Sequence, residues 1–525
     1  MRFLNQPVEF QPLAGHAQPT WAATVSAHAL NAFCTAAQGA GRRLVALWGS
    51  DRRERNAEHG YAVHLALDLV EGLVCLTLPL STESPEFPDL SLIFPGANRM
   101  QRALRDLIGA VPMAEDQRPW LRHANWPADY YPLRADTPDA RFAAHNEDYA
   151  FVRVEGDGVH EIPVGPIHAG IIEPGHFRFS VVGETVLRLE QRLGWKHKGI
   201  ERRFIGLSLA DGAKLAGRVS GDSTVAYAWA YSQAAEALTG VTPPPRALAL
   251  RALFLERERI GNHLGDLGYL GNDVALSFGL MQFMRLKEDW IRLNARLFGH
   301  RLLMDRIVPG GVSVDLDHQG GRDLLAQCDN VEREVRALKR IYDDHAGLQD
   351  RFLTTGYVTP PLAKRLGVIG LAGRASGQAW DLRCQHACAP YDALAPRISL
   401  HANGDVAARA LVRFAEISES LRLIRAIVHA LPAGALCADE KEKAEQAEPA
   451  EQAGDAFGYG WVEGWRGDVL VALQLDDAGA IRRGHCHDPS WQNWPALEHA
   501  VIGNIVPDFP LINKSFNLSY AGQDL

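Results

Sequence analysis

Two short stretches of this 525-residue chain carry the side chains best suited to chemistry. They hold hydroxyl, carboxylate, imidazole and amide groups: Ser220, Asp222, Ser223 and Tyr227 in the first stretch, and His487, Asp488, Ser490 and Asn493 in the second. In each stretch, two polar side chains stand three residues apart. Oxygen and nitrogen donors of this kind suit hydrogen bonding and proton exchange. The residue types therefore favour chemistry with protons.

Other groupings of reactive side chains are weaker candidates. His487, Asp488 and Ser490 have the residue types of a hydrolase triad, but they are nearly contiguous and lack a Gly-x-Ser-x-Gly turn. In His485-Cys486-His487, neighbouring side chains of an extended segment point to opposite faces and cannot easily meet one ion. Cys384 and Cys388 enclose His386, a spacing for which ordinary thiols are the favoured interpretation. No metal site is predicted in this chain.

Composition excludes several classes of protein. Hydrophobic residues make up 47% and charged residues 22%, as in ordinary globular proteins. The net charge of −9, without a basic run, argues against a nucleic-acid partner. No apolar run is long enough to span a membrane, and no signal peptide is recognisable at the start. Seven irregularly spaced cysteines suggest reduced thiols in a cytoplasm.

The first 145 residues are predicted to form an α+β domain. A helix is expected over 23–37, strands over 43–48, 61–68 and 72–80, and a second helix over 101–109 that ends at a glycine. A polar linker is expected over 137–160. The domain boundaries are therefore placed at 1–145 and 146–525.

The second domain is predicted to be mainly α-helical, with a helical-bundle core and small flanking β-sheets, so that the whole chain is of the α+β class. A helix over 223–238 is expected to begin at Asp222 or Ser220 as N-cap and to end at Gly240. The next helix places Glu256, Arg259 and His263 on or beside its buried stripe, which favours a structural ion-pair network. The charged segment 434–454 is interpreted as a solvated insertion.

Several motifs resemble one superfamily. The two chemical stretches resemble the places in [NiFe]-hydrogenase large subunits that each carry a Cys-x-x-Cys pair. Further matching motifs are the hairpin over 165–179, His197-Lys-Gly-Ile-Glu201, the helix over 255–264 and Gly373-Arg-Ala-Ser-Gly377. The segments 101–109 and 132–134 resemble the small hydrophilic partner of the complex I large subunit. The chain thus resembles a fused complex I-type pair, as in the large subunit of formate-hydrogenlyase-type (group 4) membrane-bound [NiFe]-hydrogenases.

The sequence departs from that pattern at the metal ligands. The four cysteine positions hold Ser220, Ser223, Ser490 and Asn493, and the position of a following histidine holds Tyr227. This substitution pattern predicts that no Ni–Fe centre is bound. The tyrosine that binds the quinone head in complex I would align at Gly221, so that role does not transfer.

The resemblance also implies which residues line the active cavity. Tyr227, Asp222 and Asp488 are expected to line it and supply protons. The hairpin lies beside this cavity in the family, which makes His168, Glu173 and His176 candidates for proton handling. A purely structural hydrogen-bond network is an equally weighted interpretation of these three residues.

The expected function is that of a core subunit in a membrane-associated oxidoreductase related to complex I. Electrons would pass from a [4Fe–4S] cluster in a small partner subunit to a quinone or similar acceptor, while this chain binds no cofactor directly. Further partners would be antiporter-like subunits of a membrane arm, which places the chain on the cytoplasmic face of the inner membrane. A non-catalytic scaffold of an ion-translocating complex is the alternative, and an active hydrogenase the third. The electron donor, the acceptor and ion pumping stay open.

Overall fold

The N-terminal part is built on one five-stranded sheet. The computed structural model describes residues 1–525 except 124–125, 141, 144–148, 169–171 and 440–455. The sheet has the order β1-β2-β5-β4-β3, and only the β2–β5 pair is parallel. Its strands are β1 (Gln11–Pro12), β2 (Thr20–Thr24), β3 (Arg43–Asp51), β4 (Tyr61–Leu69) and β5 (Gly72–Leu80). The short strands β6 (Glu86–Phe87) and β7 (Val111–Pro112) pair separately.

Two helices accompany this sheet, α1 (Ala27–Gly39) and α2 (Ala97–Ile108). Helix α1 begins at Ser26, whose side chain accepts a hydrogen bond from the backbone of Ala29. Helix α2 ends at Gly109 in the left-handed conformation, as its sequence predicts. The buried faces of both helices pack on the sheet, which completes an α+β layer arrangement.

The second part carries three small sheets, of which the last is buried between the helix Thr224–Thr239 and the N-terminal sheet. One contains β8 (Val159–Val164), β9 (His176–Val182) and β10 (Thr185–Arg192); the second pairs β11 (Ile307–Val308) with β12 (Gly311–Val312); the third contains β13 (Gly458–Glu463), β14 (Asp468–Leu475) and β15 (Ile481–His487). All pairings within these sheets are antiparallel.

Most of the second part is helical. In chain order its helices are α3 (Ile200–Phe204), α4 (Leu209–Ala216), α5 (Thr224–Thr239), α6 (Pro245–Asp273), α7 (Ser277–Phe298), α8 (His318–Asp344), α9 (Ala346–Phe352), α10 (Pro360–Leu366), α11 (Gly370–Ala375), α12 (Leu382–Gln385), α13 (Tyr391–Leu394), α14 (Val406–His429), α15 (Ser490–Ala500), α16 (Phe509–Phe516) and α17 (Tyr520–Asp524). Two 3₁₀ turns, Gly221–Ser223 and Val506–Asp508, precede α5 and α16.

The helical core is centred on α6, which packs against α7, α14 and α5. Helix α6 begins at Pro245, which needs no backbone donor at that position, and is buried along most of its 29 residues. Helix α5 is buried along its first three turns, and β13 approaches it so closely that a side chain at Gly458 or Gly460 would collide with the α5 backbone. The prediction of an α+β fold with a helical-bundle core is confirmed.

The two parts of the chain share a hydrophobic cluster. Val45 and Trp48 of β3 pack with Trp461 of β13, Leu470 of β14 and Phe457, which directly precedes β13. Among the described residues, no helix combines the length and the apolar character needed to cross a bilayer. The proposed insertion at 434–454 lies almost entirely outside the described residues, so its conformation stays a prediction.

Candidate functional site

One hydrogen bond joins the two chemical stretches. The hydroxyl group of Tyr227, on the first turn of α5, donates to Oδ2 of Asp488 at 2.7 Å. Both side chains are buried. Burial raises the pKa of Tyr227 well above its usual value, and the Asp488 carboxylate raises it further. The phenol is therefore protonated at neutral pH and acts as a donor.

The serines of the two stretches meet through Ser519, which precedes α17. The Ser220 hydroxyl lies 3.1 Å from the Ser519 hydroxyl and donates to Asp222 at 2.7 Å. The backbone N–H of Ser519 donates to the Ser490 hydroxyl at 2.9 Å. Ser220, Ser519 and Ser490 therefore form a continuous polar bridge between the two stretches.

The remaining two positions of the degenerate metal set are also engaged. Asn493 exchanges two hydrogen bonds with the backbone of Ile369, at 3.0 and 3.2 Å. The Ser223 hydroxyl accepts from the Arg466 guanidinium at 3.2 Å. All four side chains are buried and each has a protein partner.

This donor set does not fit a nickel–iron centre. Nickel and low-valent iron need soft thiolates, whereas hydroxyl and amide groups are hard donors. Using them as ligands would also break the hydrogen bonds that satisfy four buried polar groups, at a cost of about 1–3 kcal/mol each. The hydrogen bonds of the two stretches instead fix the relative positions of α5 and α15.

Asp222 is the accessible member of the cluster, with 38% of its side chain exposed. Arg466 contacts it at 2.5 and 3.0 Å. Against the raising effect of burial, the Arg466 guanidinium lowers the pKa of Asp222 to about 2. Asp222 is thus ionised at neutral pH and paired with Arg466.

The start of α5 differs from its sequence-based prediction. Neither Asp222 nor Ser220 caps the helix, because both side chains are drawn towards Arg466 and Ser519. The N-cap residue is Ser223, which makes no side-chain capping bond. The Glu258 carboxylate of α6 replaces the cap by accepting from the backbone of Val225 at 2.7 Å and Ala226 at 3.3 Å.

A buried ionic network lies behind this cluster. Arg374 bonds Glu416 at 2.7 Å and Glu463 at 2.9 Å, and Glu416 also contacts Nε2 of His263 at 2.7 Å. Arg383 bonds Glu256 at 2.9 Å. Other members are Arg259, Asp381, Tyr391 and Ser420. The ion-pair network predicted for Glu256, Arg259 and His263 is confirmed, and it ties α6, α11, α12, α14 and β13 together.

Among the hairpin candidates, Glu173 contacts α17, as Asp488 does. Glu173 accepts from the backbone of Ala521 at 3.0 Å, while a side chain added at Gly522 would collide with Asp488. Nδ1 of His176 lies 2.9 Å from the Gly165 carbonyl. His168 precedes the undescribed segment 169–171 and is half-buried. Thus Tyr227, Asp222 and Asp488 come together, and Glu173 reaches them only through α17 in the described contacts.

The cysteine and histidine groupings are engaged in other contacts. His386 bonds Asp68 at 2.9 Å, Cys384 donates to the Pro396 carbonyl, and Cys388 accepts from Gln18. His487 contacts Gln492 at 3.0 Å. Over the described ranges, no cluster of three or more His, Cys, Asp or Glu side chains is placed to hold a metal ion.

Comparisons with known proteins identify the class to which this fold belongs. Residues 23–142 match the model of the 30 kDa subunit of respiratory-chain NADH dehydrogenase, and residues 273–524 match its 49 kDa subunit. The membrane-bound sulfane sulfur reductase, an archaeal respiratory membrane complex, contains a chain with the same fold. That likeness has a TM-score of 0.64 at 22% identity and covers 70% of this chain and 99% of that chain.

Curated relatives give the particular family. Formate hydrogenlyase subunit 5 of Escherichia coli K12 is 30% identical over 92% of this chain and 84% of its own length. Hydrogenase-4 component G of the same organism is 30% identical over 92% and 83%. The NADH-ubiquinone oxidoreductase 49 kDa subunit of Cafeteria roenbergensis is 29% identical over 53% and 70%. The chain therefore belongs to the family of fused complex I-type subunits that contains formate hydrogenlyase subunit 5 and hydrogenase-4 component G.

Proposed function

We propose that this chain is a peripheral core subunit of a membrane-associated oxidoreductase and that it works without a nickel–iron centre. Its electrons would come from a [4Fe–4S] cluster in a small partner subunit and pass to a quinone or a similar acceptor. Antiporter-like subunits of a membrane arm would be further partners, on the cytoplasmic face of the inner membrane. The names of its relatives, a formate hydrogenlyase subunit and a ubiquinone oxidoreductase subunit, support this class of reaction.

The observation that carries the proposal is the polar bridge between the two chemical stretches. Ser220, Ser519 and Ser490 connect the stretches by hydrogen bonds of 3.1 and 2.9 Å. Serine and asparagine at the four ligand positions are hard donors, and each has a protein partner. This supports a site that moves protons rather than one that holds soft metals.

The chain's own residues would manage protons for the acceptor. Reduction of a quinone to a quinol takes two electrons, delivered singly by an iron–sulfur cluster, and two protons. Tyr227 is protonated at neutral pH and would donate its proton to the doubly reduced quinone, which is strongly basic, whereas Asp222 is ionised and paired with Arg466 and would line the cavity. Asp488 fixes the orientation of the Tyr227 hydroxyl.

Metal analysis and cluster reoxidation test this proposal. Nickel in the purified complex should be far below one atom per chain, and stoichiometric nickel would contradict the absence of a Ni–Fe centre. A chemically reduced cluster should be reoxidised by added quinone, as followed by electron paramagnetic resonance. Tyr227→Phe should slow this step. The matched control is Tyr231→Phe, because Tyr231 lies one turn further along α5 and donates only to the Leu209 carbonyl.

A non-catalytic scaffold is the second candidate function. The observation in its favour is that Tyr227 and Ser490 are 0% exposed and Asn493 is 1% exposed, each with an internal partner. The triple variant Asp222→Asn, Tyr227→Phe, Asp488→Asn separates the two functions. Unchanged turnover with an intact complex would support the scaffold, whereas lost turnover with an intact complex would support proton handling.

A further inference from the structure

A cavity of about 420 Å³ lies at the seam between the two parts of the chain. We call it the seam cavity. Its N-terminal wall is formed by residues around Arg42 and by the segment 93–97, and its other wall by the segment 361–369. Its volume falls within the range of small-molecule sites, which is about 300–1,000 Å³. The cavity lies outside the cluster of Tyr227 and Asp488, so the inference does not depend on the proposed function.

The charged lining of the seam cavity is strongly positive. It contains four cations, Arg42, Arg43, Lys364 and Arg365, against the single carboxylate of Asp68. This positive site lies in a protein whose net charge is −9. A concave site lined by one sign of charge concentrates ligands of the opposite sign.

The carboxylate of Asp68 forms its ion pairs with Arg43 and His386 rather than with the three outer cations Arg42, Lys364 and Arg365. Its two oxygens contact Arg43 at 3.2 Å and His386 at 2.9 Å, and Arg43 also bonds Asp468 at 2.8 Å. Arg42, Lys364 and Arg365 have no ion-pair partner among the residues that the structure describes. Lys364 extends towards the opposite wall, where a side chain added at Gly41 would lie 3.7 Å from its ammonium nitrogen.

The rest of the lining is largely apolar. Ile93, Phe94 and Met100 line one wall, and Leu366 and Val368 line the other. At the base, the Trp380 ring lies 3.9 Å from the Arg43 guanidinium carbon. An apolar interior below a rim of unpaired cations is complementary to a molecule that has an apolar body and an anionic end.

We infer that the seam cavity binds a small organic anion whose carboxylate or phosphate group meets Arg42, Lys364 and Arg365 and whose apolar body lies between the two walls. Both a soluble metabolite and a lipid have this chemistry. Binding at this site would connect the two parts of the fused chain and stabilise the folded state by mass action.

Direct binding measurements on the full-length protein test the inference. The probes are decanoate and octyl phosphate in solution and, separately, phosphatidylglycerol vesicles, with hydrogen–deuterium exchange as the readout. Protection is expected in both 93–97 and 361–369. Protection by the soluble probes supports a soluble ligand, and protection by vesicles alone supports a lipid. No protection with any probe, or protection only elsewhere, would overturn the inference.

Charge-reversal variants locate the anionic end of the probe. Lys364→Glu combined with Arg365→Glu should weaken octyl phosphate binding by about tenfold or more, since two attractions become repulsions. The matched control is Arg340→Glu, an exposed residue of α8 that does not line the cavity. Both changes leave buried residues intact. Equal affinity in the double variant, the control and the unchanged protein would contradict the assigned site.

Discussion

Tyr227 on α5 donates a 2.7 Å hydrogen bond to Asp488, which lies 261 positions later in the chain, just before α15. This bond and the polar bridge through Ser519 hold together two stretches that the resemblance associates with metal ligation. Hydroxyl and amide groups stand at the positions that the resemblance assigns to soft ligands, and the buried carboxylate of Asp488 accepts a hydrogen bond from the Tyr227 phenol at Oδ2.

Replacement of Tyr227 by phenylalanine should destabilise the protein more than replacement of Tyr231. The change leaves an oxygen of Asp488 buried without its donor, which costs about 1–3 kcal/mol. The control Tyr231→Phe removes a bond to a backbone carbonyl and should cost about 1 kcal/mol or less. Chemical denaturation gives both values. Equal losses in the two variants would show that the Tyr227–Asp488 bond contributes no more to the free energy of unfolding than the bond of Tyr231.

Gly522 should not tolerate alanine. A methyl group there would overlap with Oδ2 of Asp488, so the carboxylate would have to move and its bond to Tyr227 would break. The expected cost is about 1–3 kcal/mol in the free energy of unfolding. Gly221→Ala is the control within the same site, since nothing lies within 4 Å of the added atom. An unchanged free energy of unfolding in Gly522→Ala would contradict the close packing of α17 on Asp488.

Glu258 should make stability dependent on pH near neutrality. Burial raises its pKa to about 8, whereas an unfolded glutamate titrates near 4.3. Between these values the folded state binds one more proton than the unfolded state, so stability falls as pH rises through this window. Glu258→Gln should remove that part of the slope, giving a relative gain of a few kcal/mol at pH 8.

The Glu258 measurement is a pair of denaturation series from pH 5 to about pH 9, compared as the difference between variant and unchanged protein. The difference removes the contributions of other titrating groups, such as Glu463, whose burial raises its pKa to about 7. The other charged groups near Glu258 are Asp222, Arg257, Arg259, Lys287 and Arg301. A difference that does not vary with pH would exclude the raised pKa.

Removing Arg374 should cost more than removing a surface cation. Its guanidinium is buried and pairs with both Glu416 and Glu463, so Arg374→Met removes the ion pair of Glu463 and leaves Glu416 with only His263 and Arg259, which should cost about 3–5 kcal/mol. The combination of Arg374→Met with Glu416→Gln should recover part of that loss, because residue 416 is then neutral and no longer needs a cationic partner. Additive losses in the double variant would argue against direct coupling.

Much of the fold was predictable because local patterns and packing agree. The strand over 72–80 and the helix stops at Gly109 and Gly240 follow from alternation and from left-handed glycines. The predicted N-cap of α5 was wrong because Asp222 and Ser220 bond to the tertiary partners Arg466 and Ser519 instead of to the backbone at the start of the helix. The prediction of an ion-pair network needed only the rule that buried charges are paired.

The parts of the site that could not be predicted are contacts across long sequence separations. Ser519 meets Ser220 across 299 positions, and Arg466 meets Asp222 across 244. No short-range pattern in the sequence indicates that either pair of residues is in contact. Glu258 was missed for a related reason, because a carboxylate on a buried helix resembles its ion-paired neighbours until its backbone partners are known.

The hydrophobic cluster that β3 shares with β13 and β14 determines whether the two parts of the chain can be expressed as separate fragments. Val45 and Trp48, which Trp461 and Leu470 cover in the whole chain, would face water if the first 145 residues were expressed alone, and such a fragment would be prone to aggregate. Truncation libraries and tagged half-proteins are therefore poor tools for this chain. If the two parts are to be produced as separate chains, they should be co-expressed, so that each covers the hydrophobic surface of the other.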